Sequence, residues 1–421
     1  MDPQLYRSKE IQDMIEEEDD HHGRPVTQEK ITHSGLFGRY GCDTNLELFN
    51  STLQAMASIN PTPNFIIYTG DSVGHSMPMD QWIQSHTIFA KMVQSLLPNI
   101  PFIPSIGNND VFPDYNVTCS DSKLQFLSQV WSPWIPQDQV SSFLQMGAMA
   151  VTPIDGLTVI TINTILYSVN QDRDPLTDTD PCGQFAWLED QLDIAQSINN
   201  SVYIIGHIYP GLDPFYQLEQ WYEPYILTFY QTLSNYNSII KAGFFGHIHR
   251  DQIRAPAYDQ PATNPQPPST VNPYMPIFVG SAISPVYDNN PSFKVFSADD
   301  YLNIQTFDTY YTDIYFSNLL NHTNWTLEYN FNNVYDVQST IIDGQVLNEL
   351  AQYFNLNRFG FAVYDYFSTS SYDADAVSNI CLVGNPTQST YLECLDAFDD
   401  VDLLMTKLRM ARRMPKSSIN R

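Results

Sequence analysis

The chain has 421 residues, 43% of them hydrophobic, enough for one large α/β domain plus a small appendage to bury a sizeable core. Its 47 acidic residues outweigh 19 basic ones, giving a formal net charge of −28, which argues against nucleic acid as a partner because phosphate backbones are met by a basic face. No stretch approaches the roughly 18 consecutive apolar residues of a membrane-spanning helix.

Residues 1–34 read as a polar, loop-rich leading segment whose run Glu16-Glu17-Glu18-Asp19-Asp20 is the opposite of a basic and apolar leader peptide. From residue 35 to about 310, strand-like and helix-like stretches alternate, the pattern of a layered α/β domain. Four short motifs each close an apolar, β-rich run. Residues 65–68 lead into GDSVGH at 70–75, 102–106 into GNND at 107–110, 202–205 into GHIYPG at 206–211, and 242–245 into GHIHRD at 246–251. A carboxylate, amide or imidazole therefore falls just past each strand's carboxyl end, where open α/β sheets bind ligands.

Amphipathic spacing predicts helices over 80–97, 184–198 and 219–233. The aromatic stretch 209–225 has two readings. It could wall a substrate cleft, offering Tyr209, Phe215 or Tyr216 to a base, choline or lipid group, or it could simply pack the following helix. Residues 255–273, rich in Pro, Asn and Gln, read as a surface loop. A smaller, mostly helical unit follows from about 318 to 400, and a basic tail, 401–421, ends the chain. Residues 407–421 hold six of the nineteen basic residues and read as a solvated or frayed helix. Five cysteines lie at Cys42, Cys119, Cys182, Cys381 and Cys394; Cys119 and Cys182 could pair. Sequons at Asn50, Asn116, Asn199, Asn321 and Asn324 favour passage through the secretory pathway.

The order, spacing and flanks of the four motifs resemble the calcineurin-like metallophosphoesterases and, within them, the acid sphingomyelinase-like phosphodiesterases. Further marks of that branch are the histidine closing GDSVGH, the proline in GHIYPG, GRYGCD at 38–43, Asn163-Thr164 after a strand, and the late Cys381 and Cys394. The resemblance spans residues 35 to about 394. It implies a layered α/β sandwich over 35–317, a small helical C-terminal subdomain over 318–400, and a local Cys381–Cys394 disulfide. It leaves Cys42 without its family partner.

The resemblance also implies a two-metal phosphoesterase site. Two divalent ions about 3.5–4 Å apart clamp a phosphoryl group and activate a water. By position, Asp71 bridges both ions. Asn108, His207 and His247 join it on one, and His249 joins it on the other. A mixture of imidazole, carboxylate and amide suits zinc.

Two departures stand out. In the family, further ligands come from an Asp-x-His motif on the first strand, followed after one residue by Asp-Pro and a nearby tyrosine. This chain opens Met1-Asp2-Pro3-Gln4-Leu5-Tyr6, so the expectation is a longer protein carrying those ligands, behind an apolar leader, upstream of Met1. His21, His22 and His33 could substitute, but their acidic surroundings read as solvated loop. The second departure is Asn109, where most relatives have histidine. Asparagine cannot donate a proton, although its amide can hydrogen-bond a phosphoryl oxygen. In the sphingomyelinase-like branch the histidine closing GDSVGH also faces the leaving group, so the resemblance makes His75 the candidate general acid, against the plainer reading that it caps a loop. GNND followed by Val-Phe-Pro also resembles the fungal vacuolar endopolyphosphatases, whereas the two histidines of GHIHRD are as in the sphingomyelinase-like branch.

The expected function is hydrolysis of phosphoric diesters by in-line attack of hydroxide generated between two divalent ions. Nothing in the sequence reads as a saposin-type lipid-extracting domain, so a soluble phosphodiester or nucleotide is a readier substrate than bilayer lipid. Polyphosphate hydrolysis is one alternative, and a pseudoenzyme or binding module lacking the first metal-binding motif is another. The acidic balance suits a secreted protein or a lysosomal or vacuolar lumen, where self-repulsion relaxes as carboxylates approach their pKa values. An acidic surface also simply aids solubility.

Overall fold

A computed structural model describes residues 35–214, 218–256 and 275–369, together with 387, 390 and 392. Among the described residues three sheets form. A two-stranded parallel sheet pairs β1 (Ile66–Tyr68) with β2 (Phe102–Pro104), Ile66 opposite Phe102. A six-stranded sheet has the order β3-β4-β5-β6-β8-β7, from β3 (Met149–Ile154), β4 (Leu157–Thr161), β5 (Ser201–Ile205), β6 (Ile240–Phe245), β7 (Gln252–Arg254) and β8 (Ile277–Val279). The pairs β4–β5, β5–β6 and β6–β8 run parallel, and only the outer strands β3 and β7 are antiparallel. A three-stranded antiparallel sheet orders β11 (Thr326–Asn330), β10 (Ile304–Tyr311) and β9 (Ser292–Ala298).

The parallel core follows from composition. Every residue of β4 is buried, as are Val202–Ile205 and Ala242–Phe245, the continuous apolar reading expected of strands covered on both faces. Helices make the crossovers. With α1 (Leu46–Ile59), α2 (Met79–Leu96), α3 (Ser122–Val130) and α4 (Val140–Met146) in place, α5 (Gln184–Ser197) links β4 to β5 and α6 (Glu223–Ser234) links β5 to β6. In α5 the buried Phe185, Leu188, Leu192 and Ala195 lie on one face, as helical periodicity requires. The predicted helices at 80–97 and 184–198 thus form within a residue of their expected ends.

The third begins later than expected. Residues 219–222 are drawn into bridges pairing Leu212 with Glu219 and Ser168 with Trp221, and the Trp221 indole donates to the Ile208 carbonyl at 3.1 Å. The helix starts only at Glu223, with Pro224 in its first turn, where proline's fixed φ suits an N-terminus.

Beyond β10 come α7 (Ile314–Leu320), β11, α8 (Phe331–Tyr335), α9 (Gly344–Leu356) and α10 (Arg358–Thr369). Over its described residues, 318–369, this part is mostly helical, and β11 ties it to the preceding sheet. Cys119 and Cys182 form a disulfide, S–S 2.09 Å, and Cys42 has no disulfide partner among the described residues. Cys381, Cys394, residues 1–34, the 257–274 segment and the basic tail lie outside the described residues.

Candidate active site

Parallel strands deliver the motifs to one place. Asp71 follows β1, Asn108 and Asn109 follow β2, His207 follows β5, and His247 and His249 follow β6. The turns that carry them are tight. A side chain at Gly107 would lie 2.1 Å from Asp71 Oδ1, and one at Gly70, whose φ is +101°, would meet the Gly107 amide at 2.7 Å. Only glycine lets the two loops close against each other. Asp71, His247 and His249 themselves sit at φ of 60°, 76° and 54°, a left-handed region that non-glycine residues enter at a cost and that clusters at functional sites.

Four ligand-type atoms converge. His207 Nδ1 lies 2.7 Å from the Thr69 carbonyl, an acceptor, so Nδ1 carries a proton and the ring turns Nε2 inward. Facing that nitrogen are Asn108 Oδ1 at 2.9 Å, Asp71 Oδ2 at 3.1 Å and His247 Nδ1 at 3.2 Å. The Asn108 amide is fixed oxygen-inward because its Nδ2 donates to Asn109 Oδ1 at 3.1 Å. The Asp71 and Asn108 oxygens crowd that nitrogen, an arrangement that either a proton on Nε2 or a divalent cation in its place satisfies. The donor set therefore fits a divalent metal, and the carbonyl behind His207 is the outer-shell partner that metal-bound histidines usually have.

Burial would raise the Asp71 carboxyl, but the His207 charge and hydrogen bond hold it well below the usual range, and Asp71 in turn raises His207 against its own burial. Burial and the neighbouring His207 push His247 down, leaving it neutral and available as a ligand. His249 is buried, its Nδ1 has no partner among the described residues, and burial followed by the His75 charge lowers its pKa to about 4. Such an orphaned nitrogen fits the second metal position expected there.

Both catalytic candidates have defined partners. His75 is held by Asp43, from GRYGCD: Asp43 Oδ2 accepts the His75 backbone N–H and Oδ1 meets Nδ1, each at 2.9 Å. Burial would lower the imidazole, but the Asp43 charge and hydrogen bond raise it to about 9. The His75 ring lies 6.0 Å from that of His249, and Tyr287 stands edge-on to both. Asn109 is buried, with its backbone N–H on Asp71 Oδ1 at 2.9 Å and its Nδ2 on Asp71 Oδ2 at 3.0 Å. Its amide is thus turned to the carboxylate rather than outward.

Tyr209 does not wall a cleft. It is 1% exposed, its hydroxyl is hydrogen-bonded to the Leu212 carbonyl, and the Arg254 guanidinium lies 4.9 Å above its ring. Phe215 and Tyr216 lie outside the described residues. Asn163 and Thr164 prove to be supports. Asn163 caps a short turn, and Thr164 Oγ1 accepts the Ile208 N–H at 2.9 Å, steadying the loop that carries His207.

Asp71, His75, Asn109, His207, His247 and His249 line one cleft of about 860 Å³, which continues between the sheets past Tyr203 and Phe244. Sequence reading passed over Asp110 and His86, which are buried behind it, and Ser72, which joins them and reaches the cleft. Asp110 serves mainly backbone donors, and His86 meets it through the Ser72 hydroxyl, so neither leaves a spacing signal.

The calcineurin-like phosphoesterase family matches residues 20–251, and the acid sphingomyelin phosphodiesterase C-terminal region matches 272–399. Among curated relatives, sphingomyelinase phosphodiesterase D of Dictyostelium discoideum is 48% identical over 381 residues, covering 90% of this chain and 84% of that protein. Human cyclic GMP-AMP phosphodiesterase SMPDL3A is 29% identical over 392 residues, covering 86% and 83%. Among solved structures, that of PhoD aligns with a TM-score of 0.45 at 11% identity, over 67% of this chain and 66% of the other, too slight a likeness to add to the assignment. With motifs, fold and relatives in accord, the chain belongs to the calcineurin-like phosphoesterase family, among its sphingomyelinase-like hydrolases of phosphoric diesters.

Proposed function

We propose that this chain is a zinc-dependent phosphodiesterase acting on a soluble phosphodiester or nucleotide in preference to lipid held in a bilayer. The observation that carries the reading is the cluster of Asp71 Oδ2, Asn108 Oδ1 and His247 Nδ1 around His207 Nε2, at 3.1, 2.9 and 3.2 Å. These four residues would hold one divalent ion, and Asp71 with His249 would contribute to a second. Bound there, such ions neutralise phosphoryl charge and lower the pKa of a water.

The rest falls to the chain's own groups. Asn109 fixes both oxygens of the Asp71 carboxylate. His75, kept protonated at neutral pH by Asp43, supplies a proton to the departing oxygen from its Nε2 side, the Nδ1 side being engaged by Asp43. Two relatives are named as phosphodiesterases, which supports diester rather than anhydride chemistry. The net charge of −28 disfavours approach to an anionic membrane surface, and no described helix is long and apolar enough to cross a membrane. The Cys119–Cys182 disulfide and the exposed sequon asparagines Asn116, Asn199, Asn321 and Asn324 support a secreted glycoprotein or one of the lysosomal or vacuolar lumen.

Hydrolysis of bis(p-nitrophenyl) phosphate, a dinucleotide and polyphosphate, each in zinc and in chelator, tests the reading. Zinc-dependent diester turnover, lost in a folded His247→Ala variant, is expected. Turnover of polyphosphate alone would make the protein an endopolyphosphatase, and zinc uptake without turnover would make it a binding module.

A further inference from the structure

Asp71 is held in a left-handed backbone conformation, and what holds it lies behind the site. Asp110 is fully buried. Its Oδ2 accepts the N–H groups of Asp71 and Gly107, both at 2.8 Å, and its Oδ1 accepts the Ser72 N–H at 2.8 Å and the Ser72 hydroxyl at 2.6 Å. Four donors from two separate loops thus end on one carboxylate. Only an acceptor-only group serves all four, since an amide would turn a donor against two of them.

The relay continues outward. The Ser72 hydroxyl has one proton and gives it to Asp110, so His86 Nδ1, 3.0 Å from that oxygen, must itself carry a proton and donate. His86 is fully buried on α2 among the rings of Trp82, Phe126 and Trp131, and its Nε2 has no partner among the described residues. An aromatic hydrocarbon would fill that cage without stranding a polar atom, so the imidazole is costly there except for the bond its other nitrogen makes. The same helix holds the neighbouring loop, Trp82 Nε1 donating to the Asn109 carbonyl at 2.9 Å.

We propose that the buried Asp110 and His86, joined through Ser72, form a relay of positioning residues that fixes the backbone of Asp71 and so sets the carboxylate's aim at the metal centre. This rests on reading Asp71, Asn108, His207 and His247 as metal ligands. None of the three touches the reacting atoms; they act through Asp71.

The test is zinc titration by calorimetry of the metal-free wild-type chain, His86→Leu, His86→Asn and Asp110→Asn, with thermal melts of each. Wild type must take up zinc; if it does not, the metal reading itself fails. Given uptake, His86→Leu should weaken zinc by roughly tenfold or more, the usual scale for outer-shell changes. His86→Asn, whose Nδ2 can stand where Nδ1 stood, should restore most of the affinity although it leaves more empty space than leucine. Asp110→Asn should weaken zinc further and lower kcat while KM stays within roughly twofold, the mark of lost transition-state geometry rather than lost binding. Equal zinc affinity in wild type and His86→Leu would overturn the relay, as would equal losses in the leucine and asparagine variants. If Asp110→Asn fails to fold, the His86 pair decides alone.

Discussion

Asp43 grips His75 twice, accepting its backbone N–H on one carboxylate oxygen and meeting its Nδ1 with the other, both at 2.9 Å. The grip fixes the rotamer and the proton together: Nδ1–H faces Asp43, leaving Nε2 to act. His75→Ala should therefore lower kcat by roughly 10²- to 10⁴-fold, the range for general acid catalysis. Asp43→Ala should cost a similar factor through loss of orientation. Steady-state kinetics on a diester with a poor leaving group check this; for a good leaving group such as p-nitrophenolate the loss should be much smaller. Equal losses on both substrates would count against His75 as the acid.

The same pair predicts a pH window for stability in the metal-free protein. The folded His75 pKa, about 9, lies above its ordinary 6.5, so the imidazole's contribution is fully present below pH 6.5 and disappears as pH rises through about 9. The Asp43 carboxyl, buried yet drawn down from 3.8 by the His75 charge, contributes above pH 3.8 and is lost on further acidification. The melting-temperature advantage of wild type over His75→Gln should be greatest near pH 5 to 6.5 and shrink steadily toward pH 10. An advantage that stays constant to pH 10 would remove the ion pair from the account.

Asn109 bears on how far chemistry was legible. Its replacement of a usual histidine is plain in the sequence, but its task is not, because the amide finds Asp71 only once β1 and β2 pair. Asn109→His would break the Nδ2 bond to Asp71 Oδ2. Hydrogen bonds to charged groups contribute about 1.5–3 kcal/mol, so activity should fall by roughly ten- to a hundredfold. A gain in activity would mean that an imidazole matters more here than a fixed carboxylate.

The strands and the four motifs could be read directly, since continuous apolar runs closed by glycine and a ligand-type residue survive as local pattern. Contacts between remote segments could not. Asp43 and His75 are 32 residues apart, and Asp110 serves mainly backbone donors, which no residue type announces. The late start of α6 failed for a related reason: Trp221 satisfies a helical pattern, but its indole is claimed by the Ile208 carbonyl across the fold. Tyr209 likewise carries the composition of a ligand platform and the burial of a core residue.

The Cys119–Cys182 disulfide closes a sequence separation of 63 residues. In the chain-entropy account a loop of that length contributes about 4 kcal/mol. A Cys119→Ala/Cys182→Ala double variant should melt well below wild type under oxidising conditions and should be indifferent to added reductant. Wild type that melts identically with and without reductant would show that the bond does not form in solution.

A buried ion pair ties the GHIHRD loop to the three-stranded sheet. Lys294, on β9, is hydrogen-bonded to Asp251 and to Thr309 Oγ1 at 2.9 Å, while the Tyr329 hydroxyl donates to the same Asp251 oxygen at 2.7 Å. The ammonium also lies 4.0 Å from the centre of the Phe307 ring. Asp251 is two residues beyond His249, so this sheet anchors one end of the candidate metal loop. Lys294→Met would keep the packing volume but strand the carboxylate, and breaking one partner of a buried pair costs about 3–5 kcal/mol. Exchanging both partners, Lys294→Met with Asp251→Leu, leaves no uncompensated charge and should recover much of that loss, although Tyr329 then lacks its acceptor. Denaturant melts of the two variants separate the cases: a single variant as stable as wild type would mean that Asp251 is satisfied without the lysine, and a double variant no better than the single would mean that packing, not charge, holds the loop.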